Sequence, residues 1–304
     1  MMGTLRIGTR GSPLALVQAR LVATALRDAH GWGPEHLEIV PIATSGDMAR
    51  DRPLADDGGK ALWTRELDRA LVEGRTDMSV HSMKDVETYR DEALFIGAIL
   101  PRADTRDRLV GAKSLKKLEK GARVGTSSPR RWAQLLNRRP DLNIVPIRGN
   151  VETRLRKIQM GEADATLLAA AGLDRIGHPE IGVPLDDFLP APAQGAIGVE
   201  TRSGDRRLRA LIAKIDDAKT HACILAERRL LAGLNGDCRS PVAALAERQG
   251  DGTILLRAEI LTPDGREVER GEAAFAPDDE EAPGALAREM LGRASPRLRA
   301  LFSV

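Results

Sequence analysis

Residues 6–13 read RIGTRGSP, and residues 123–129 return the same pattern as RVGTSSP with one residue deleted. In each copy a strand ends in Gly-Thr and a Ser-Pro opens a helix, with serine at the N-cap and proline at the first helical position. A second repeat, GRTD at 74–77 and GEAD at 161–164, precedes a predicted strand in each half. Two repeats in the same order along the chain predict two α/β domains of like topology that face one cleft. The buried stripe predicted for the first helix consists of Leu14, Val17, Leu21 and Ala25.

Two proline-containing segments predict where the chain passes between these domains. LPRADTRD at 100–107 predicts the first crossing, and PAPAQG at 190–195 predicts the second. The second domain is then an insertion in the first, and double crossings of this kind act as hinges in two-domain binding folds. The strands and helix that follow predict a small α+β domain at the C-terminal end. The expected boundaries are 1–99 with 196–216 for domain 1, 104–192 for domain 2 and 217–304 for domain 3.

The stretch TDMSVHSMKDVE at 76–87 runs from a short apolar strand directly into polar residues. Ligands collect beyond the carboxyl ends of strands in α/β sheets, which makes Asp85 a candidate catalytic residue. The alternative is a solvated turn in which Lys84 and Asp85 form a surface pair worth roughly 0.5 kcal/mol. Taken alone, the stretch favours the solvated turn.

Arginines recur where predicted strands turn into helices. Arg10 lies beside the N-terminus of the first helix, and the second half adds Arg130, Arg131, Arg148 and Arg154. Cations at a helix N-terminus oppose the macrodipole and lower helix stability, a loss that a bound polyanion would offset. A single arginine at such a turn would be expected to extend its guanidinium into water. Four at successive turns of the second half predict an anion site, since arginine grips carboxylates bidentately.

The two cysteines differ in their surroundings. Cys223 lies on the apolar side of a helix at 220–231 and is predicted to be a small core residue. Cys238 lies in the loop LNGDCRSP at 234–241, which has little apolar cover and places Arg239 next to the thiol. Exposure and a neighbouring cation favour the thiolate, so Cys238 is the candidate reactive cysteine.

Composition excludes several classes of protein. The chain has 304 residues, 42% hydrophobic and 30% charged, with a net charge of +2 and only 3% aromatic residues. Near-neutral charge and scarce aromatics count against a nucleic-acid binder. No apolar run approaches the ~20 residues of a membrane span, and the first residues lack a secretory apolar region. A cytoplasmic protein with no membrane partner is expected.

Eight stretches match one known family, in the family's order and over almost the whole chain: RIGTRGSPLAL, GGKALWTREL, DMSVHSMKD, VGTSSPRR, IRGNVETRL, AAAGLDRIG, PAPAQGAIGVE and GDCRSPVAA. The chain resembles the porphobilinogen deaminases, or hydroxymethylbilane synthases, of tetrapyrrole (heme) biosynthesis. The resemblance implies a monomer with two domains like type II periplasmic binding proteins and a small α+β third domain. It also implies a transferase of the alkyl- or aryl-transferring type. Four porphobilinogen molecules are deaminated and joined head to tail onto a covalent dipyrromethane cofactor, and water releases the linear tetrapyrrole.

The resemblance also implies the roles of single residues. Cys238 would hold the dipyrromethane through a thioether, and Asp85 would stabilise the cationic azafulvene formed as ammonia leaves, as a fixed anion does for developing positive charge. The acetate and propionate of each pyrrole would be the polyanion that the arginines bind. Cofactor-binding residues would be Lys84, Asp85, Thr126, Ser127, Ser128, Arg130, Arg131 and Arg148. Substrate-binding residues would be Arg10, Ser12, Gln18, Trp63, Arg148, Arg154, Arg175 and Gln194. No metal is implied.

Two positions depart from the family pattern. Many members have proline where this chain has Glu87, which predicts a looser turn after Asp85 and an extra negative charge near the site. Trp63 stands where phenylalanine is frequent, after the polar loop at 43–60 that predicts a lid. The main alternative function is a two-domain solute-binding protein without catalysis, and that alternative gives Cys238 no role.

Overall fold

The computed structural model describes residues 3–44 and 64–303. Trp63 and most of the predicted lid at 43–60 lie outside the described residues. The chain divides into two compact units, Met1–Ala103 with Ala196–His221 and Asp104–Gly195 with Ala222–Val304. The second unit contains both the second α/β sheet and the C-terminal sheet. The boundaries expected for three domains stay predictions.

The first unit is built on a five-stranded sheet. Its strands are β1 Leu5–Arg10, β2 Leu37–Ile42, β3 Met78–Ser82, β4 Leu94–Ile99 and, from after the inserted segment, β10 Ile197–Arg202. The sheet order is β2-β1-β3-β10-β4, with β1, β2 and β3 parallel and β10 antiparallel to both its neighbours. The helices are α1 Pro13–His30, α2 Arg65–Val72 and α6 Arg206–Ile212.

Helix α1 begins and ends as the sequence predicts, but its buried face is different. The Ser12 hydroxyl accepts a hydrogen bond from the Ala15 amide, and Gly31 ends the helix at a φ of 66°. The predicted stripe is wrong, since Leu21 is 43% exposed. The buried positions are Ala15, Gln18, Ala19, Val22 and Leu26. Helix α1 has apolar residues on more than one face, so the spacing of its apolar residues alone does not identify the buried face.

The second unit repeats the first sheet. Its strands are β5 Asp107–Val110, β6 Arg123–Gly125, β7 Asn143–Val145, β8 Ala165–Ala169 and β9 Val183–Leu185, with helices α3 Pro129–Arg138, α4 Val151–Gln159 and α5 Ala170–Arg175. The order is β7-β6-β8-β5-β9, and β5 is antiparallel to both neighbours, as β10 is in the first sheet. The predicted pair of α/β domains of like topology is confirmed.

The C-terminal part is a separate sheet with its own core, which confirms the predicted small α+β domain. It comprises β11 Val242–Arg248, β12 Ile254–Leu261 and β13 Val268–Phe275, with helices α7 Ala218–Gly233, α8 Ala282–Arg293 and α9 Pro296–Ala300. This sheet packs on α3. Gly265, at a φ of +68°, lies so close to α3 that a Cβ there would be 2.4 Å from the backbone nitrogen of Asn137. Asn137 Nδ2 donates to the Gly265 carbonyl at 2.8 Å, and Gln134 Nε2 donates to Glu259 Oε1 at 3.0 Å.

Candidate active site

Polar side chains meet at the carboxyl ends of β1 and β3 in the first unit. These strands are parallel neighbours, so the residues that follow them lie at one edge of the sheet. A cavity of about 60 Å³ opens there, and its lining includes Arg10, Ser12, Gln18, Ser82 and Asp85. Gln18 Nε2 donates to the Ser82 hydroxyl at 2.8 Å, and that hydroxyl donates back to Gln18 Oε1 at 3.0 Å. The structure therefore brings four of the predicted residues, Arg10, Ser12, Gln18 and Asp85, to one cavity.

Asp85 ends a short 3-10 helix, Met83–Asp85, directly after β3. Met83 and Val86, on either side of the polar pair, are both buried. The Met83 amide donates to the Ala196 carbonyl at 3.1 Å. Lys84 and Asp85 are half-buried. Buried apolar neighbours on both sides fix the backbone of Asp85 and leave its carboxylate at the cavity.

Glu87 is paired with a cation on its own turn. Its Oε2 accepts from Arg90 at 2.6 Å, and its Oε1 accepts from the Thr64 hydroxyl at 2.6 Å. Val86 has φ −85° and ψ 131°, the extended region that a residue before proline also adopts. The backbone of Val86 is therefore compatible with a proline at position 87, and the added negative charge of Glu87 has a guanidinium beside it.

Arg90 joins Asp68, Glu87, Glu200 and His81 in what we call the Arg90 cluster. Arg90 donates to Asp68 at 2.7 and 3.1 Å and to Glu200 at 2.7 and 2.9 Å. His81 Nε2 lies 3.1 Å from Glu200 Oε2, and both side chains are buried. Burial works to raise the pKa of Glu200, but His81 and Arg90 together lower that pKa to about 2. Burial raises the pKa of Asp68 in spite of Arg90.

A second buried network, the Asp107 cluster, holds two of the predicted arginines in the other unit. Asp107 accepts from Arg130 at 2.9 Å, from Arg131 at 2.7 and 3.2 Å and from Gln194 at 2.9 Å. Asp107, Arg130 and Arg131 are all buried, so the arginine heads do not extend into water. Burial works to raise the pKa of Asp107, and the two guanidiniums hold it well below its usual range. Burial lowers the pKa of Arg130.

The Asp107 cluster has more positive than negative charge. One carboxylate faces two guanidiniums, and Gln134 Oε1 accepts a further hydrogen bond from Arg130 at 2.8 Å. Arg130 Nε is buried and has no hydrogen-bond partner among the described residues. The Leu189 and Leu167 carbonyls accept further hydrogen bonds from Arg130 and Arg131, and Asp107 is the one carboxylate among the described residues that forms an ion pair with both guanidiniums.

The other predicted residues of this unit mainly support its turns. The Ser128 hydroxyl caps α3, Thr126 Oγ1 accepts from the Ser128 amide, and the Ser127 hydroxyl donates to the Ile147 carbonyl at 3.0 Å. Asn150 caps α4 through the Thr153 amide. Arg154 Nε donates to the Gly149 carbonyl at 2.9 Å, and Arg148 lies half-buried before that glycine.

Arg175 and Gln194 are tied to the second crossing. Arg175 donates to the Gly195 carbonyl at 2.7 Å, and burial lowers the pKa of this arginine. Gln194, which is buried, donates to the Thr105 carbonyl at 2.8 Å as well as to Asp107.

The cysteines lie as predicted with respect to burial. Cys223 is buried in the C-terminal core, Cys238 is exposed, and the two form no disulfide. Arg239, next to Cys238, donates to Asp237 at 2.8 Å, so the cation beside the thiol is already paired with a carboxylate.

Sequence reasoning missed Asp107, Arg90 and Glu200. The predicted first crossing at 100–107 includes Asp107, although DRLV at 107–110 followed by glycine is typical of a strand. The spacing of Glu87 and Arg90, three residues apart, was the available signal for an ion pair. Glu200 lies 110 residues from Arg90 in sequence, and only the sheet brings the two together.

A larger open cavity of about 730 Å³ lies in the second unit, between α3 and the C-terminal sheet, and contains none of the predicted site residues. Over the described ranges, the longest and most apolar helices still fall short of what a membrane span requires.

Comparison with known proteins gives the family. Residues 5–210 match the model described as "Porphobilinogen deaminase, dipyromethane cofactor binding domain", and residues 221–292 match "Porphobilinogen deaminase, C-terminal domain". The porphobilinogen deaminase of Sphingopyxis alaskensis is 54% identical over 98% of this chain and 96% of its own length. That of Paracoccus denitrificans is 49% identical over 95% and 94%. An ancestral cationic amino acid solute-binding protein has a TM-score of 0.45 at 19% identity over 69% of this chain and 87% of its own, a likeness too weak to bear on function. The chain belongs to the porphobilinogen deaminase family of tetrapyrrole biosynthesis and contains its dipyrromethane cofactor-binding domain.

Proposed function

We propose that this chain is a transferase of the alkyl- or aryl-transferring type in which Asp85 is the catalytic carboxylate and Cys238 carries the dipyrromethane as a thioether. The observation that carries the proposal is the position of Asp85. It lies half-buried at a cavity formed where β1 and β3 end, together with Arg10, Ser12 and Gln18.

Asp85 would act on the positive charge that develops as ammonia leaves porphobilinogen. A carboxylate whose backbone is fixed by buried neighbours needs little reorganisation when that charge appears, so it stabilises the transition state more than the ground state. Arg10 at the same cavity would bind a substrate carboxylate through a charge-assisted hydrogen bond. Arg148, Arg154 and Arg175 would bind further carboxylates, with Ser12, Gln18 and Gln194 as hydrogen-bonding partners.

The residues present fit a dipyrromethane with its acetate and propionate groups. An exposed thiol is available at Cys238, and the Asp107 cluster has an excess guanidinium and an unused Arg130 Nε–H. Arg130, Arg131 and Arg148 would hold the cofactor carboxylates, and Lys84, Thr126, Ser127 and Ser128 would assist them. When bound, the group supplies the pyrrole carbon to which the first substrate unit is joined.

The cofactor attachment is tested by intact-protein mass. Cys238→Ser should have the bare sequence mass, whereas the parent should carry the increment of two linked pyrrole units. Cys223→Ser is the matched control because it removes the other thiol, and its adduct should persist. An adduct that disappears with Cys223 would overturn the assignment. A parent without any increment would favour the solute-binding alternative.

The role of Asp85 is tested by single-turnover ammonia release, with cofactor content checked by mass. Asp85→Asn should slow release by about 10² to 10³ because a preorganised charge is lost. Asp85→Glu keeps the charge but moves it by about one methylene, so it should retain more activity than Asn, although ~1 Å misplacement still costs ~100-fold. An Asp85→Asn variant that carries its full cofactor and releases ammonia at the parent rate would make Asp85 a structural turn residue.

We also propose a cytoplasmic monomer, divided into the three domains expected above, whose partner is porphobilinogen and not a nucleic acid. The net charge of +2 and the 3% aromatic content support the absence of a nucleic-acid partner. Light scattering of the purified protein would test the monomer.

A further inference from the structure

The segment that carries Asp85 is held at both ends by one carboxylate. Glu200, on β10 beside β3, contacts His81 four residues before Asp85 and Arg90 five residues after it. Glu200 is fully buried. The two hydrogen bonds converge on the same oxygen, Oε2, at 3.1 and 2.7 Å. The polypeptide between them therefore forms a loop that is closed at its base, and Asp85 lies on that loop.

Arg90 extends this closure to two further elements. Its guanidinium donates to Asp68 on α2 and to Glu87 in the turn, at distances from 2.6 to 3.1 Å. Glu87 in turn accepts from Thr64, the residue before α2. One planar side chain thus ties the turn after Asp85 to a helix and to a strand, which the fixed fork of arginine can do and the single ammonium of lysine cannot.

A metal ion is the alternative occupant of this cluster. Asp68, His81 and Glu200 offer ligand atoms within 4.8 Å of one another. However, Arg90 donates two hydrogen bonds to each of the two carboxylates, so a cation already fills that place. The cluster is an ion-pair network around arginine.

We propose that Arg90 is a positioning residue for Asp85, and that its network fixes the turn that follows Asp85. The proposal rests on the catalytic role proposed for Asp85. Glu87 and Arg90 act as a pair: the glutamate supplies the anion within the turn, and the arginine connects it to Asp68 and Glu200. Loss of this connection lets Asp85 shift relative to the cavity while its own chemistry is unchanged.

The first test measures single-turnover ammonia release in Arg90→Lys and Glu87→Gln, with cofactor content matched by intact mass. Both variants retain hydrogen-bonding groups and should fold, which thermal unfolding checks. We expect release about 10- to 100-fold slower than in the parent, since ~1 Å of misplacement costs up to ~100-fold. Arg75→Leu is the control, because Arg75 forms an exposed pair with Glu73 in the same unit. It should release ammonia at the parent rate. Parent rates in both Arg90→Lys and Glu87→Gln overturn the proposal.

The second test separates positioning from a general structural defect. When Arg90→Lys is combined with Asp85→Asn, a positioning residue has nothing left to position, so the double variant should be no slower than Asp85→Asn alone by more than about 2-fold. Multiplicative losses, with Asp85→Asn slow by itself, overturn the positioning role and leave the role of Asp85 standing. A parent rate in Asp85→Asn alone overturns the role of Asp85, and positioning with it.

Discussion

The two buried ionic clusters have opposite compositions. In the Arg90 cluster one guanidinium serves three carboxylates, those of Asp68, Glu87 and Glu200. In the Asp107 cluster one carboxylate serves two guanidiniums. Neither is a balanced pair, and a buried unbalanced charge is expensive unless a ligand or a partner compensates it. The Arg90 cluster lies in the unit that contains Asp85, and the Asp107 cluster lies in the unit that contains most of the arginines proposed to bind carboxylates.

The largest expected effect on stability comes from removing the one carboxylate of the Asp107 cluster. Asp107→Asn removes the carboxylate that contacts both buried guanidiniums, so the free energy of unfolding should fall by about 3 to 5 kcal/mol. Urea unfolding monitored by circular dichroism measures it. Asp104→Asn is the control, because Asp104 pairs with the partly exposed Arg106, and it should cost under about 1 kcal/mol. Equal losses in both variants would remove the distinction between a buried cluster and a surface pair.

The contribution of the Arg90 cluster to the free energy of unfolding should depend on pH. The folded-state pKa of Glu200 is lowered from 4.5 to about 2, so the stability it contributes is present above pH 4.5 and is lost as pH falls toward 2. Glu200→Gln should therefore be less stable than the parent by about 2 to 4 kcal/mol at pH 7. The difference should shrink between pH 4.5 and 2. Unfolding free energies measured across this range check it.

The control for this pH series is Glu247→Gln, which removes a half-exposed carboxylate paired with Arg257. That variant should differ from the parent by less than about 1 kcal/mol throughout. A Glu200→Gln difference that stays constant down to pH 2 would contradict the assigned cause.

The smallest effect on stability, with the clearest effect on binding, is expected for the paired arginines. Arg131→Leu leaves Asp107 with Arg130 and Gln194, so the carboxylate keeps a counterion. Each charge-assisted hydrogen bond to a ligand carboxylate is worth roughly 1.5 to 3 kcal/mol, so the fraction of protein that assembles its cofactor should fall. Arg130→Leu and Arg148→Leu should behave likewise. Cofactor content by mass, with early elongation kinetics, measures this, and Arg299→Leu is the control. Equal kinetics in all variants would mean that these arginines only support the fold.

Local sequence patterns predicted what depends on neighbouring residues. The repeated Gly-Thr and Ser-Pro turns predicted two α/β domains and the serine cap of a helix in each. The apolar neighbours of Cys223 predicted that it is buried, in contrast to Cys238. The clusters depend on residues far apart in sequence. Asp107 meets Arg130 after 23 residues, and Arg90 meets Glu200 after 110, so no local pattern contains either contact. The error on α1 has the same origin, because the packing partner selects which apolar stripe is buried.

The position of β10 has a consequence for the order in which the protein folds during synthesis. The first sheet places β10 between β3 and β4, so among the described strands β4 has no partner until residues 197–202 have been made. The second sheet needs only residues 107–185 and can be complete earlier. A nascent chain that ends before residue 197 therefore exposes unpaired edges on β3 and β4, which are sites for aggregation. Of the two five-stranded sheets, the one that is begun first on the ribosome is the one that is completed last.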